Sequence, residues 1–96
     1  MTEFKEPFVT SVFTASSHHP FAVPARYEGK FPEGPTPLQR CIGYTDNALR
    51  LFFEKASRQS WFKNTLFVIT ADHTSLGTYP EYLTDLGMYS VPILFY

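Results

Sequence analysis

The sequence predicts an α/β fold. Three observations carry that prediction: a continuous apolar run at 66–70, an amphipathic helical pattern over 37–57, and strand-like segments at 8–14 and 91–96. The expected order is strand, long loop, helix, strand, long loop, strand. A chain of 96 residues is short for one domain, so a single core is expected.

The first strand is expected at Phe8-Val9-Thr10-Ser11-Val12-Phe13-Thr14, which is rich in β-branched and aromatic residues, with Pro7 ahead of it marking an edge. From Ala15 to Pro37 the chain carries Pro20, Pro24, Pro32, Pro35 and Pro37 with Gly29 and Gly34, the punctuation of a long loop. Thr36 then supplies an N-cap, and Pro37 suits the first helical position because its missing N–H would find no intrahelical acceptor there. Leu38, Cys41, Ile42, Thr45, Leu49, Phe52, Phe53 and Ala56 recur at three-and-four spacing and define one inward face of a helix ending near Ser57.

Leu66-Phe67-Val68-Ile69-Thr70 has no polar alternation, which suits a strand covered on both faces in a parallel sheet, with the helix as a right-handed crossover. Val91-Pro92-Ile93-Leu94-Phe95-Tyr96 reads as a further strand, with Pro92 favouring its beginning or an edge. Three strands and one helix cover only one sheet face well. The pattern therefore predicts that residues 1–96 are a single piece of a larger domain.

Composition narrows the function classes. A formal net charge of -1 and the lack of any Lys/Arg cluster argue against a nucleic-acid partner. Cys41 is the only cysteine, so no internal disulfide can form. The longest apolar runs fall far short of the roughly 20 residues needed to span a bilayer. The start of the chain lacks the pattern of a signal peptide, and the piece is expected to be soluble.

The strongest chemical signal is Thr70-Ala71-Asp72-His73-Thr74, placed just beyond the carboxyl end of the second predicted strand, where open α/β sheets bind ligands. Asp and His together offer a hard oxygen and a borderline nitrogen donor, a pair suited to Zn²⁺ or Mn²⁺. The ordinary alternative is an Asp that caps a turn beside a solvated His. A second signal, Ser16-Ser17-His18-His19-Pro20-Phe21, follows the first predicted strand and would share that rim. An imidazole there can bind a phosphate oxygen or assist proton transfer, or simply be solvated.

Weaker candidates have ordinary explanations. Arg26 and Lys30 can meet an anion but are isolated cations, and Tyr44 and Asp46 suit anchors between helix and loop. Ser75-Leu76-Gly77 is too short for a phosphate loop. Cys41 lies on the apolar helix face and suits core packing, and Trp61 and Phe62 suit packing under the helix end.

Phe13 to Phe21, then Tyr44-Thr45-Asp46-Asn47-Ala48-Leu49, then Asn64 to His73, then Val91-Pro92-Ile93-Leu94, resemble the lipoteichoic acid synthase branch of the sulfatase superfamily over about residues 7 to 96. The resemblance implies a partial alkaline-phosphatase-like fold and a phosphoglycerol transferase. In such a protein a metal-activated Thr attacks a glycerophospholipid donor such as phosphatidylglycerol. By that resemblance Asp72 and His73 match two metal ligands, and His18 matches a substrate-binding His in a His-x-Pro-Phe element, while His19 takes the variable position. The implied metal is Mn²⁺ foremost, with Mg²⁺, Zn²⁺ or Ca²⁺ as alternatives.

Nothing before Phe8 matches the family's nucleophile or remaining ligands, so residues 1–96 are expected to hold no catalytic nucleophile and to be inactive alone. The full-length protein is expected to be membrane-anchored with its catalytic domain outside the cytoplasm. A sulfatase or phosphoethanolamine transferase of the same superfamily, acting on a sulfate or phosphate ester, is an alternative reading. A non-catalytic binding module is another. Self-association through exposed sheet edges is also expected.

Overall fold

The computed structural model describes residues 4–75 and 79–96, which leaves Leu76 and Gly77 of the Ser75-Leu76-Gly77 stretch outside the described residues. The chain forms two compact units, Met1–Arg58 and Gln59–Tyr96.

The first unit is built on helix α1, Leu38–Ala56, within a residue of both predicted ends. Pro37 already has helical angles, with φ -59 and ψ -17, as a first-turn proline should. The Gln39 side-chain carbonyl accepts the Thr36 N–H at 3.0 Å and the Thr36 hydroxyl as well, so the start is closed by half of a capping box. At the other end the Ser57 N–H reaches the Phe53 carbonyl at 2.9 Å.

The buried apolar positions are Cys41, at 0% exposure, and Ala56, both on the predicted inward face. Ile42 and Phe52 were expected there too but remain exposed. The long loop instead packs on a different side of the first half of α1, at Arg40, Gly43 and Tyr44. Gly43 lets Phe31 approach so closely that an added Cβ would sit 3.1 Å from the Phe31 Cβ. Tyr44 meets Tyr27 with ring centroids 5.2 Å apart and Phe31 at 6.1 Å. Arg40 donates to the Phe21 carbonyl at 3.4 Å and lies 3.8 Å from a Glu33 oxygen.

The stretch from Ala15 to Pro37 is thus a loop folded onto the helix, with one short 3-10 turn at Ala25–Tyr27. Arg26 and Lys30 both lie over the Tyr27 ring, 5.0 and 5.4 Å from its centroid, where the ring quadrupole attracts a cation.

Residues 8–14 correct the sequence reading, because they form no strand. Val9 is 98% exposed and Val12 83%. Strand composition describes what a pleated surface tolerates. The ladder itself needs a neighbouring strand, and no described segment pairs with this one.

The second unit holds strands β1, Val68–Thr70, and β2, Ile93–Phe95, with short 3-10 segments at Ser60–Asn64, Pro80–Leu83 and Gly87–Tyr89. The strands pair antiparallel with Val68 opposite Phe95, Ile69 opposite Leu94 and Thr70 opposite Ile93. Reciprocal Phe67 and Tyr96 backbone bonds, at 2.9 and 3.0 Å, lengthen the ladder by one pair.

The parallel-type sheet is therefore not the arrangement observed between these strands, and the helical crossover expected from 8–14 to 66–70 lacks its first strand. β1 and β2 are joined by a loop with 3-10 turns, and an antiparallel pair needs no crossover helix. Nor is the apolar run covered on both faces, since Leu66 is 70% and Val68 52% exposed. Trp61 and Phe62 pack on the ladder end, with Phe62 5.2 Å from Phe67 and 6.1 Å from Tyr96. None of the described helices is long and apolar enough to cross a membrane.

Candidate functional site

Thr70 ends β1 with its hydroxyl donating to the Pro92 carbonyl at 3.0 Å, which ties the strand end to the neighbouring chain. The two residues that follow Ala71 are Asp72 and His73, and their side chains are 60% and 54% exposed. The Asp72 Oδ2 and the His73 Nε2 stand 3.6 Å apart, too far for a hydrogen bond.

The other ring nitrogen decides what that gap means. The His73 Nδ1 lies 2.7 Å from the Thr74 carbonyl oxygen, which can only accept. In the neutral ring the proton therefore sits on Nδ1, and Nε2 presents a lone pair. Two electron-pair donors then face one another across 3.6 Å. A tetrahedral ion with ligand bonds near 2.1 Å has donor atoms about 3.4 Å apart, close to the observed spacing. A ring nitrogen tied to a backbone carbonyl is also the usual support of a metal-binding imidazole. These two residues fit a divalent cation in both donor type and spacing. Among the described residues no group of three or more His, Cys, Asp or Glu is placed to hold a metal.

Thr74 was named within the motif without a role of its own, yet it carries the acceptor for His73. Its own N–H donates to the Met88 carbonyl at 2.7 Å. No sequence signal marks such residues, because a backbone carbonyl has no side-chain signature.

His18 belongs to the first unit. Its N–H donates to the Ala15 carbonyl at 3.1 Å, and the Phe21 N–H donates to the His18 carbonyl at 2.8 Å around a cis His19-Pro20 peptide, a type VI turn. The His18 Nδ1 lies 2.9 Å from the His19 carbonyl, so by the same logic its Nε2 is an acceptor open to solvent. The His19 ring instead packs edge-on to Phe21 with centroids 5.9 Å apart. Phe21 takes φ 58, the left-handed region, which turns the chain toward the Arg40 contact.

Arg26 and Lys30 lie over the Tyr27 ring, which in turn meets Tyr44 on α1. Cys41 is buried, as core packing requires. No solved structure matches the chain. A family model described as Sulfatase matches residues 1–96. With that match running from the first residue to the last and the Asp-His pair set just past a strand end, the chain belongs to the sulfatase family.

Proposed function

We propose that this chain contributes to a phosphoglycerol-transfer site in which Asp72 and His73 are two ligands of a divalent metal, foremost Mn²⁺, and His18 contacts the transferred group. Sulfatase-superfamily members generally use a divalent metal. The observation that carries the reading is the pair of facing donors, the Asp72 Oδ2 and the His73 Nε2, with the second ring nitrogen already engaged. When bound, the metal supplies positive charge that offsets the phosphoryl oxygens and acidifies a coordinated hydroxyl.

Asp72 contributes a hard anionic oxygen, and His73 a neutral nitrogen of fixed tautomer. The His18 Nε2 is an acceptor in its neutral form, so it suits a hydroxyl of a glycerol group better than a phosphate or sulfate oxygen, which also only accepts. That preference favours a glycerophospholipid donor over a simple sulfate ester. No Ser or Thr of residues 1–96 is assigned as nucleophile, and the chain by itself is proposed to be inactive. A lipid donor also places the catalytic domain at a membrane surface, on the extracytoplasmic side in this reading.

The gene product, assayed for Mn²⁺-dependent release of diacylglycerol from fluorescent phosphatidylglycerol, is expected to lose activity by more than about 100-fold in either Asp72→Ala or His73→Ala. Turnover of an aryl sulfate with no lipid cleavage would replace this reading by a sulfuric ester hydrolase. Activity toward neither would leave a binding module.

A further inference from the structure

His73 is more than half exposed, so packing does not hold its ring. What holds it is the bond from Nδ1 to the Thr74 carbonyl. The residue that carries this carbonyl is anchored on the other side of its Cα, where the Thr74 N–H, in the peptide shared with His73, donates to the Met88 carbonyl at 2.7 Å. The residues around Met88 are closely braced. The Gly87 N–H donates to the Thr84 hydroxyl at 2.9 Å, and that hydroxyl donates to the Glu81 carbonyl at 3.1 Å. The Met88 N–H reaches the Thr84 carbonyl at 3.0 Å, and the Ser90 N–H reaches the Gly87 carbonyl at 3.0 Å.

Gly87 is buried, and a Cβ added to it would fall 1.8 Å from the Glu81 carbonyl oxygen. Backbone is what it would strike, so no side-chain rotation can relieve the clash. Any larger residue must push the 84–89 turn away from Glu81, and the Met88 carbonyl moves with it.

We infer that the turn over 84–89, locked by Gly87 and Thr84, is a positioning element for His73: through Met88 and Thr74 it fixes the imidazole as the Nδ1–H tautomer with Nε2 directed beside Asp72. This rests on the reading of Asp72 and His73 as metal ligands, but the tautomer is measurable with no metal present. Without the Thr74 acceptor a solvated ring samples both tautomers and more than one rotamer, and only part of that population offers Nε2 next to the carboxylate. Outer-shell partners of this kind typically change metal affinity by 10–100-fold.

The test uses the whole 96-residue chain, ¹⁵N-labelled and metal-free, at a pH where imidazoles are neutral. Long-range ¹H–¹⁵N correlation is expected to show His73 as the Nδ1–H form, and an Nε2–H ring would overturn the inference. In Gly87→Ala the Thr74 amide should exchange with solvent faster and the His73 ring should become a tautomer mixture. Paramagnetic broadening at His73 should then need about tenfold more Mn²⁺. Thr84→Val should move all three readouts the same way by less, and it carries the test if Gly87→Ala loses the β1–β2 cross-strand contacts. A folded Gly87→Ala chain with unchanged Thr74 exchange, tautomer and Mn²⁺ response overturns the proposal. Wild-type chain in the Nδ1–H form without any Mn²⁺ broadening overturns the metal reading while the exchange and tautomer results still decide the positioning role.

Discussion

Cys41 shows how much one atom matters in a small core. It has 0% exposure, and the other buried hydrophobic residue among those described is Ala56. Cys41→Ser keeps the shape and replaces a weakly polar thiol by a hydroxyl that must find a partner. The adjacent Thr45 hydroxyl on the same face is already buried without one. Cys41→Ser is therefore expected to destabilise the chain by about 1–3 kcal/mol, more than Cys41→Ala, as read from denaturant midpoints at constant slope. At this scale the candidate site was half legible in the sequence. Asp72 and His73 are neighbours in the chain, so their proximity needed no fold to reveal it. The proton on the His73 Nδ1, which turns proximity into a pair of donors, depends on the carbonyl of a residue whose N–H is anchored to Met88, fourteen positions on from Thr74.

At the scale of the element, α1 and the two strands report different physics. A helix closes its hydrogen bonds locally, so periodicity plus Thr36 and Pro37 sufficed to place Leu38–Ala56 almost to the residue. Gln39→Ala removes the acceptor that the Thr36 N–H and hydroxyl share. The group left behind is solvent-exposed, so the expected loss is only about 0.5 kcal/mol, seen as a small fall in thermal midpoint with α1 still formed. Strands are completed by partners, which explains both failures of the strand reading. Residues 8–14 have strand composition and no ladder, and the pairing direction of β1 and β2 followed from a return loop that carries no directional signal in its residues. The ends of β1 and β2 were nonetheless visible, because Pro92 cannot donate to a ladder and Asp72 favours a turn.

For the molecule as a whole, composition foresaw apolar material enough for one core, whereas the chain forms two compact units whose surfaces keep large apolar side chains such as Val9, Leu86 and Leu94 exposed. Burial counts on a sequence say how much apolar surface exists and leave open what covers it. The family match over residues 1–96 and the donor pair past β1 are consistent with one another without depending on that coverage. The aromatic lock between loop and helix has its own consequence for the molecule's chemistry in a digest. Tyr27 and Phe31, which hold the loop to α1 through Tyr44 and Gly43, are the residues directly after Arg26 and Lys30. Trypsin must draw several residues on each side of a scissile bond into an extended strand, so both loop sites require the rings to be pulled off the helix first. Arg58, exposed at the boundary between the units, requires no such step. Brief digestion followed by mass spectrometry should therefore report cleavage after Arg58 well before cleavage after Arg26 or Lys30, and Tyr27→Ala should erase that order by turning a proline-rich loop into the open substrate its composition suggests.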